Sequence, residues 1–303
     1  MNYRHAYHAG NFADVLKHVV FVLAIEYLKR KEAPFRIIDT HAGRGRYLLD
    51  SVESEKTGEW RGGIGRLIGP DAEPLSADAS RILAPYLDAV AACNGRRGLT
   101  VYPGSPLIAR KLMRPQDRLI ANELHPEDGA SLRMLLRRVP AAKVMALDGW
   151  VAVRSLLPPP ERRGIVLIDP PFEAEDEFAR LAHGLADGLQ RFASGVFIAW
   201  YPIKDPRRVR SLLDAVAGIG AKALRIELMV RQSTGQDSLN GCGLVVCNPP
   251  YALQGQLEIL MPELSRRMAM ERAASFRLEP VKKSETRTPI SDKSQKRRMR
   301  IRT

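Results

Sequence analysis

Short apolar runs alternate with amphipathic helical patterns along most of the chain, and this alternation restricts the possible folds more than any other feature. Helical patterns at Ala13–Lys31, Phe178–Phe192 and Pro206–Val216 lie between or beside these runs. Such an order is typical of an α/β fold, in which helices cover both faces of a mostly parallel sheet. The seven runs with the length and composition of strands are Phe35–Ile38, Leu119–Ala121, Lys143–Leu147, Ile165–Ile168, Val196–Trp200, Leu224–Val230 and Leu244–Cys247.

Two connections between these runs are unusual. The last two runs are joined by Arg231–Gly241, a polar segment without a helical pattern. We therefore expect an antiparallel hairpin after five parallel strands, which gives a sheet of seven strands. The first two runs lie about eighty residues apart, too far for a simple crossover. Ser51–Gly98 is therefore expected to be an insertion, largely helical.

The C-terminal part contains two segments of different character. Leu253–Ala274 has the pattern of an amphipathic helix, whereas Lys282–Thr303 contains nine Lys or Arg and two acidic residues. A segment so polar and basic is expected to be disordered. The sequence thus predicts one domain over residues 1–274, with a helical insertion at about 51–98, and a basic tail over residues 275–303.

The charge of the chain favours a polyanionic partner. Its formal net charge is +13 at pH 7. Lys282–Thr303 supplies +7 of this, nine bases minus two acids, so the rest of the chain is only mildly basic. The net charge is therefore a weaker indication of such a partner than its total suggests.

The sequence also indicates a compartment. Cys93, Cys242 and Cys247 have neither the paired spacing of a metal site nor the even number of a disulfide framework. The N-terminal segment lacks the apolar core of a secretory signal, and the longest apolar stretch, Val19–Ile25, is too short to cross a bilayer. We expect a soluble, cytoplasmic protein that has no membrane partner and acts as a monomer.

Acidic residues and glycines follow four of the predicted strands. Asp39–Gly45 follows the first, Asn122–Pro126 the second, Asp148–Gly149 the third and Asp169–Phe172 the fourth. In an open parallel sheet, ligands bind beyond the carboxyl ends of the strands, where an acid such as Glu123 can accept the hydroxyls of a ribose. Each group alone is typical of a turn or a helix cap. The four in this order predict a ligand site at one edge of the sheet.

Asp169-Pro170-Pro171-Phe172 has a specific chemical use. The exocyclic amine of adenine is a poor nucleophile because its lone pair is delocalised into the ring. A carboxylate and a neighbouring backbone carbonyl can accept its two N–H groups and direct the lone pair at an electrophilic methyl group. The prolines restrict φ, and the aromatic ring can stack on a base taken out of its helix. Standing alone, the four residues would indicate a rigid turn with a core phenylalanine.

Two other segments imitate functional motifs. Asn248-Pro249-Pro250-Tyr251 follows the final hairpin strand, whereas Asp169 follows the fourth strand, which neighbours the first in a sheet of this type. We therefore interpret Asn248–Tyr251 as structural or substrate-flanking and Asp169 as catalytic. Gly62–Gly69 resembles a phosphate loop, but it follows no strand and lacks the Lys-Ser/Thr pair. We expect it to be a loop and a helix start within the insertion.

The N-terminal segment concentrates polar residues before and within the first helical pattern. It contains three histidines, but no cysteine accompanies them, and we predict no metal site. Tyr3, Arg4 and His5 suit stacking on RNA bases and contacts to phosphates. Lys17 and His18 lie later in the helical pattern and are candidates to face a cofactor.

Together these motifs resemble the RlmJ family, the bacterial 23S ribosomal RNA adenine-N6 methyltransferases. The resemblance covers roughly residues 1–264, and its N-terminal block is the most specific part. The segments that carry it are Tyr3–His5, His8–Asn11, Ala13–His18, Asp39–Gly43, Tyr102–Pro106, Glu123–Pro126 and Leu167–Pro171.

The resemblance implies a Rossmann-like class I methyltransferase fold with a small helical insertion after strand one. It implies S-adenosyl-L-methionine as methyl donor, with S-adenosyl-L-homocysteine as product, and Asp169 as proton acceptor. Tyr3, Pro170 and Phe172 would contact the RNA, in which the target is the adenine at position 2030 of 23S ribosomal RNA, protein-free or in an early assembly intermediate. Phe172 replaces the family's tyrosine, so stacking is kept and a hydroxyl is lost. The implied cofactor contacts are His18, His41, Ser105, Glu123, Asp148 and Gly149.

Two other functions remain open at this point. A DNA adenine-N6 methyltransferase would share the Asp-Pro-Pro-aromatic motif, but such enzymes normally carry a larger target-recognition segment than Ser51–Gly98. A non-catalytic RNA-binding assembly factor on the same fold is a third possibility. The presence of Asp169 together with Glu123 and Asp148 argues against it.

Overall fold

A computed structural model describes residues 5–70, 72–95, 98–232 and 239–282. Its strands are β1 (Arg36–Asp39), β2 (Arg46–Leu48), β3 (Val101–Pro103), β4 (Arg118–Asn122), β5 (Ala142–Met145), β6 (Gly164–Ile168), β7 (Val196–Pro202), β8 (Ala223–Met229), β9 (Gly241–Cys247) and β10 (Ser275–Pro280). Its α-helices are α1 (Phe12–Lys29), α2 (Val52–Thr57), α3 (Gly65–Ile68), α4 (Ala77–Ala91), α5 (Ser105–Leu112), α6 (Pro126–Leu136), α7 (Gly149–Ser155), α8 (Glu177–Arg191), α9 (Pro206–Ile219) and α10 (Leu253–Met268).

Eight strands form one sheet in the order β10-β8-β9-β7-β6-β1-β4-β5. The strands from β7 to β5 run parallel, and β9 runs antiparallel to both β7 and β8. The chain builds outward from β1 in one direction and from β6 in the other, so the strand order reverses between them. Ligands of open α/β sheets bind at the carboxyl edge beside such a reversal.

The predicted fold class is confirmed, with one correction to its extent. All seven apolar runs are strands of the sheet, but the sheet has an eighth strand, β10, which pairs antiparallel with β8. The predicted domain boundary after residue 274 is therefore too early, because Ser275–Pro280 belongs to the sheet. Most side chains of β10 are exposed, so this edge strand lacks the apolar run that marks the others. Residues 283–303 of the predicted tail lie outside the described residues.

Helix α1 is buried on nearly all sides. Asn11 caps its start, where the side chain accepts from the backbone N–H groups of Ala13 and Asp14. Fifteen of its 18 residues are buried, because the sheet lies on one side and α4, α5 and α10 lie on the other. Helices α7, α8 and α9 cover the opposite face of the sheet. None of the described helices, α1 included, is long and apolar enough to cross a membrane.

The segment between β2 and β3 contains α2, α3 and α4, and it is hydrogen-bonded to the residues that precede α1. The N–H of Ile64 donates to the carbonyl of Gly10 at 2.8 Å, and the Asn11 amide donates to Glu59 at 2.9 Å. Gly63 lies directly against the backbone of Gly10 and Asn11. The glycine-rich segment is thus a packed loop that leads into α3, as the sequence predicts.

Replacing Gly63 with alanine tests this contact. An added Cβ would overlap the carbonyl oxygen of Gly10 and the backbone of Asn11, so the inserted segment would have to move. We expect the free energy of unfolding to fall by roughly 1–3 kcal/mol in urea denaturation. Gly218→Ala in α9 is the matched control, since its added Cβ has nothing within 4 Å and alanine favours a helix. If the two substitutions changed the free energy of unfolding equally, the close contact of Gly63 with Gly10 and Asn11 would be contradicted.

Candidate functional site

A cavity of about 900 Å³ opens at the carboxyl edge of β1, β4, β6 and β7. It brings together all the predicted site residues except Tyr3, which lies outside the described residues. Those that line the cavity are His18, His41, Ser105, Glu123, Asp148, Gly149, Asp169, Pro170 and Phe172. Residues from six separate parts of the chain thus meet in one cavity.

Asp169 follows β6 and is bound to a lysine of α1. The Lys17 ammonium lies 2.5 Å from Oδ2 of Asp169 and 2.8 Å from Oδ1 of Asp14. The other oxygen of Asp14 accepts from the backbone N–H of Gly10 and contacts Nε2 of His5, both at 2.9 Å. Lys17 therefore joins the N-terminal segment to the candidate catalytic loop.

The charges of this network are maintained by one another. Burial alone would raise the pKa of Asp14, but His5 and Lys17 outweigh it and hold that pKa well below its usual value. Burial alone would lower the pKa of Lys17, but Asp14 and Asp169 hold it well above its usual value. Lys17 is thus a cation and Asp14 an anion at neutral pH. Within the described ranges no group bonds to Oδ1 of Asp169, which leaves that oxygen as an acceptor in the cavity wall.

Glu123 is fixed between the ends of β1 and β4. Its Oε2 accepts from the backbone N–H of Gly43 at 2.8 Å, and its Oε1 accepts from that of His125 at 2.7 Å. Burial raises its pKa, and the two backbone hydrogen bonds oppose that shift. Each oxygen keeps one lone pair for a further donor, so the carboxylate is oriented but not saturated.

Asp148 and Gly149 begin α7 beside a half-buried histidine, His41. The Asp148 side chain caps the helix, and Oδ1 accepts from the backbone N–H of Trp150 at 2.9 Å. A Cβ at position 149 would overlap the ring of His41, so a larger residue there would displace this ring. Nδ1 of His41 is hydrogen-bonded to Thr40 at 2.9 Å, and burial lowers the pKa of His41 to about 4. The ring is neutral near pH 7.

Ser105 begins α5 and is held by the acid that ends β1. Its hydroxyl donates to Oδ2 of Asp39 at 2.6 Å. Asp39 is almost fully buried, and burial raises its pKa to about 7, although the bond from Ser105 opposes this. Asp39 itself is therefore a support for Ser105 behind the cavity wall.

His18 carries a buried polar atom without a partner. Nδ1 is hydrogen-bonded to the hydroxyl of Tyr102 at 2.7 Å, and that hydroxyl also contacts Tyr86 at 3.0 Å. Nε2 is buried and has no hydrogen-bond partner among the described residues. Buried polar atoms are normally hydrogen-bonded, so this nitrogen requires a partner such as a bound water or a ligand atom. Burial lowers the pKa of His18 to about 3, which keeps the ring neutral.

Phe172 forms an aromatic wall with two neighbours. Its ring contacts Phe178 and Trp200 edge-to-face, with centroids 4.9 and 5.7 Å away. Its φ is 52°, a value that β-carbon-bearing residues seldom adopt. Packing against two aromatics maintains this backbone and leaves a flat apolar surface at the cavity.

The second Pro-Pro motif lies at the other edge of the sheet. Cys247 pairs with Phe197 near the start of β7, so Asn248 follows β9 at the amino edge of the parallel strands. The Asn248 amide donates to the carbonyls of Ala193 and Gly195, both at 2.8 Å. Asn248 is therefore structural, in agreement with the first alternative given by the sequence, and only Asp169 belongs to the cavity.

The N-terminal histidines bind carboxylates. His5 contacts Asp14, and His8 contacts Glu59 at 3.0 Å. The part of the chain that the structure describes has no cluster of three or more potential metal ligands.

Sequence reasoning missed the partners of Asp169. It placed Lys17 near a cofactor but did not predict its bond to Asp169 or the role of Asp14. The available signal was an Asp-Lys pair spaced i and i+3 in an otherwise apolar helix, because buried charges require partners. Trp150 and Arg180 also line the cavity and were not predicted.

Comparison with known proteins gives consistent matches over nearly the whole chain. The family model described as "RsmJ: Ribosomal RNA large subunit methyltransferase D, RlmJ" matches residues 32–280. A Haemophilus influenzae relative named ribosomal RNA large subunit methyltransferase J is 41% identical over 281 residues, or 92% of this chain and 98% of the relative. An Escherichia coli relative of the same name is 40% identical over 269 residues, or 88% and 94%. A crystal structure from Legionella pneumophila has a TM-score of 0.82 and 32% identity, and covers 90% of this chain and 98% of that one.

The neutral His18 predicts a pH-dependent stability. Its folded pKa of about 3 lies below the ordinary 6.5, so the unfolded state binds more protons between these values and stability falls as pH decreases through them. His18→Gln should flatten this part of the curve of unfolding free energy against pH, where each pKa unit corresponds to about 1.4 kcal/mol. His183→Gln, on the exposed face of α8, is the control. A wild-type slope in the His18 variant would contradict the assignment.

Proposed function

This chain belongs to the family of ribosomal RNA large subunit methyltransferases described as RsmJ and RlmJ, and we propose that it methylates the exocyclic N6 of one adenine in 23S ribosomal RNA, with S-adenosyl-L-methionine as donor. The observation that carries the proposal is the position of Asp169-Pro170-Pro171-Phe172 in the same cavity as Glu123 and Asp148. The finer proposal is that the target is the adenine at position 2030.

The cavity residues fit the donor. Its adenosine has a ribose diol, which suits the oriented carboxylate of Glu123, and an adenine amine, which suits Asp148 and the adjoining backbone at Gly149. The buried Nε2 of His18, which has no partner among the described residues, supports a ligand at this wall. When bound, the donor supplies a methyl group on a sulfonium, an electrophile that needs no metal. The residues proposed to hold it are His18, His41, Ser105, Glu123, Asp148 and Gly149.

Asp169 is proposed to bind and deprotonate the target amine. Its free Oδ1 and the carbonyl of Pro170 accept the two N–H groups, which localises the nitrogen lone pair. Transfer of the methyl group would break its bond to the donor's sulfur, which leaves as the neutral thioether, and would make the nitrogen cationic; Asp169 would accept the proton that the nitrogen then loses. Lys17 orients the carboxylate through Oδ2. Asp14 is the second partner of the Lys17 ammonium.

The low exposure of Asp169 restricts the conformation in which an RNA substrate can bind. The Asp169 side chain is only 18% exposed, so an adenine reaches it only when turned out of its helix, where it can stack on Phe172. Protein-free RNA or an early assembly intermediate permits that movement, and we propose this as the substrate. One chain supplies every group named above, which fits a monomer acting in the cytoplasm, where ribosomal RNA is assembled.

Asp169→Ala should abolish methylation of 23S ribosomal RNA while binding of S-adenosyl-L-homocysteine changes by less than about threefold. Loss of a positioned proton acceptor typically lowers the rate by about 10²–10⁴. The measurements are incorporation of labelled methyl groups and calorimetric titration. Asn248→Ala, at the opposite edge, is the matched control and should retain activity. An active Asp169 variant beside an inactive Asn248 variant would show that the wrong Pro-Pro motif was chosen.

Removal of Lys282–Thr303 tests the proposed role of the basic tail. The truncation takes away nine bases and two acids and leaves β10 intact. If the tail contacts RNA phosphates, KM for RNA rises and the dependence of log affinity on log salt becomes shallower, while binding of S-adenosyl-L-homocysteine is unchanged. An identical salt slope for the two proteins would rule this role out.

A further inference from the structure

Arg180 of α8 joins three groups at the α7 end of the cavity. Its guanidinium lies 3.5 Å from Oδ2 of Asp148 and 3.6 Å from Oε1 of Glu177. It also lies over the ring of Trp150, with its central carbon 5.5 Å from the centroid. The indole N–H of Trp150 donates to Glu177 at 3.2 Å, so Arg180, Trp150 and Glu177 all contact one another. All four residues line the cavity.

The two oxygens of Asp148 have different tasks. Oδ1 caps α7 by accepting from the backbone N–H groups of Trp150 and Val151, at 2.9 and 3.2 Å. Only Oδ2 remains for a ligand, and in the part of the chain that is described its one partner is Arg180. A contact of 3.5 Å is at the outer limit of a hydrogen bond, so Arg180 orients Oδ2 without saturating it.

Packing of α7 against α8 does not need this arginine. The Trp150 ring already lies so close to α8 that a Cβ on Gly184 would approach it to 2.6 Å. A second ion pair, Arg154 with Asp187 at 2.8 Å, joins the same two helices away from the cavity. Ion pairs as exposed as these contribute little to stability. The position of Arg180 therefore points to the ligand.

We propose that Arg180 is a positioning residue for the adenine of the methyl donor. It holds Oδ2 of Asp148 as the acceptor for the donor's adenine amine and fixes the Trp150 ring as a wall of the same subsite. This inference rests on the proposed function, since it requires an adenosyl ligand at Asp148. Its specific consequence is discrimination: a ring with a carbonyl in place of the amine presents an acceptor at the position where Oδ2 requires a donor.

Calorimetric titration with two ligands tests the proposal. The ligands are S-adenosyl-L-homocysteine and S-inosyl-L-homocysteine, whose ring carries that carbonyl. Arg180→Met keeps the alkyl stem and removes the charge. We expect it to weaken binding of the adenosyl ligand about tenfold and to affect the inosyl ligand much less, so that the preference for adenine narrows. KM for S-adenosyl-L-methionine should rise by a similar factor while kcat changes by less than about twofold.

Two further variants separate positioning from packing. Arg180→Lys retains the charge and should recover part of the lost affinity. Arg154→Met breaks the other α7–α8 ion pair and should leave both ligands unaffected. Equal losses for the two ligands, wild-type binding by Arg180→Met, or the same loss in Arg154→Met would each overturn the inference. Failure of the wild-type protein to bind S-adenosyl-L-homocysteine would instead overturn the proposed function itself.

Discussion

A buried ammonium group requires a negatively charged partner. The ion pairs that Lys17 makes with Asp14 and Asp169 meet this requirement, and the rest of the site is arranged around them. The lysine lies in α1, where most side chains are buried and an unpaired charge would cost several kcal/mol. Asp14 supplies one partner from the same helix, and Asp169 supplies the other from 152 positions away. The same pair of contacts therefore fixes α1 against the sheet and holds the loop after β6. An apolar side chain at position 17 would pack in the core but would leave Asp14 buried without its cation.

The network continues from Asp14 to the inserted segment. Asp14 binds His5 and the backbone of Gly10, while Glu59 binds Asn11, the residue that caps α1. The insertion, the N-terminal segment and the loop after β6 are thus connected by one set of hydrogen bonds. The insertion also contributes directly to the cavity, because Glu59 lines it together with Asp169.

The sequence predicts the sheet well because its central strands are buried runs with clear boundaries. It does not predict β10, since an exposed edge strand is held by backbone pairing and has no apolar signature. Strand order also placed Asp169 and Glu123 at one edge. The hydrogen bond between Lys17 and Asp169 could not be predicted from the sequence, because no local pattern specifies a contact between residues 152 positions apart. Ser105 entered only through family resemblance, as its support by Asp39 is visible only in three dimensions.

The antiparallel direction of β9 separates the two Pro-Pro motifs of the chain. The chain contains two rigid Pro-Pro turns, each after a buried strand, yet antiparallel pairing sends them to opposite rims of the sheet. The Asn248 amide donates to two backbone carbonyls at the edge of the sheet away from the cavity. A carboxylate introduced at position 248 would therefore not lie where Asp169 does. Strand direction, rather than the four letters of the motif, decides which copy lies at the cavity. A chain that lost Asp169 would have no second copy of the motif at that edge of the sheet.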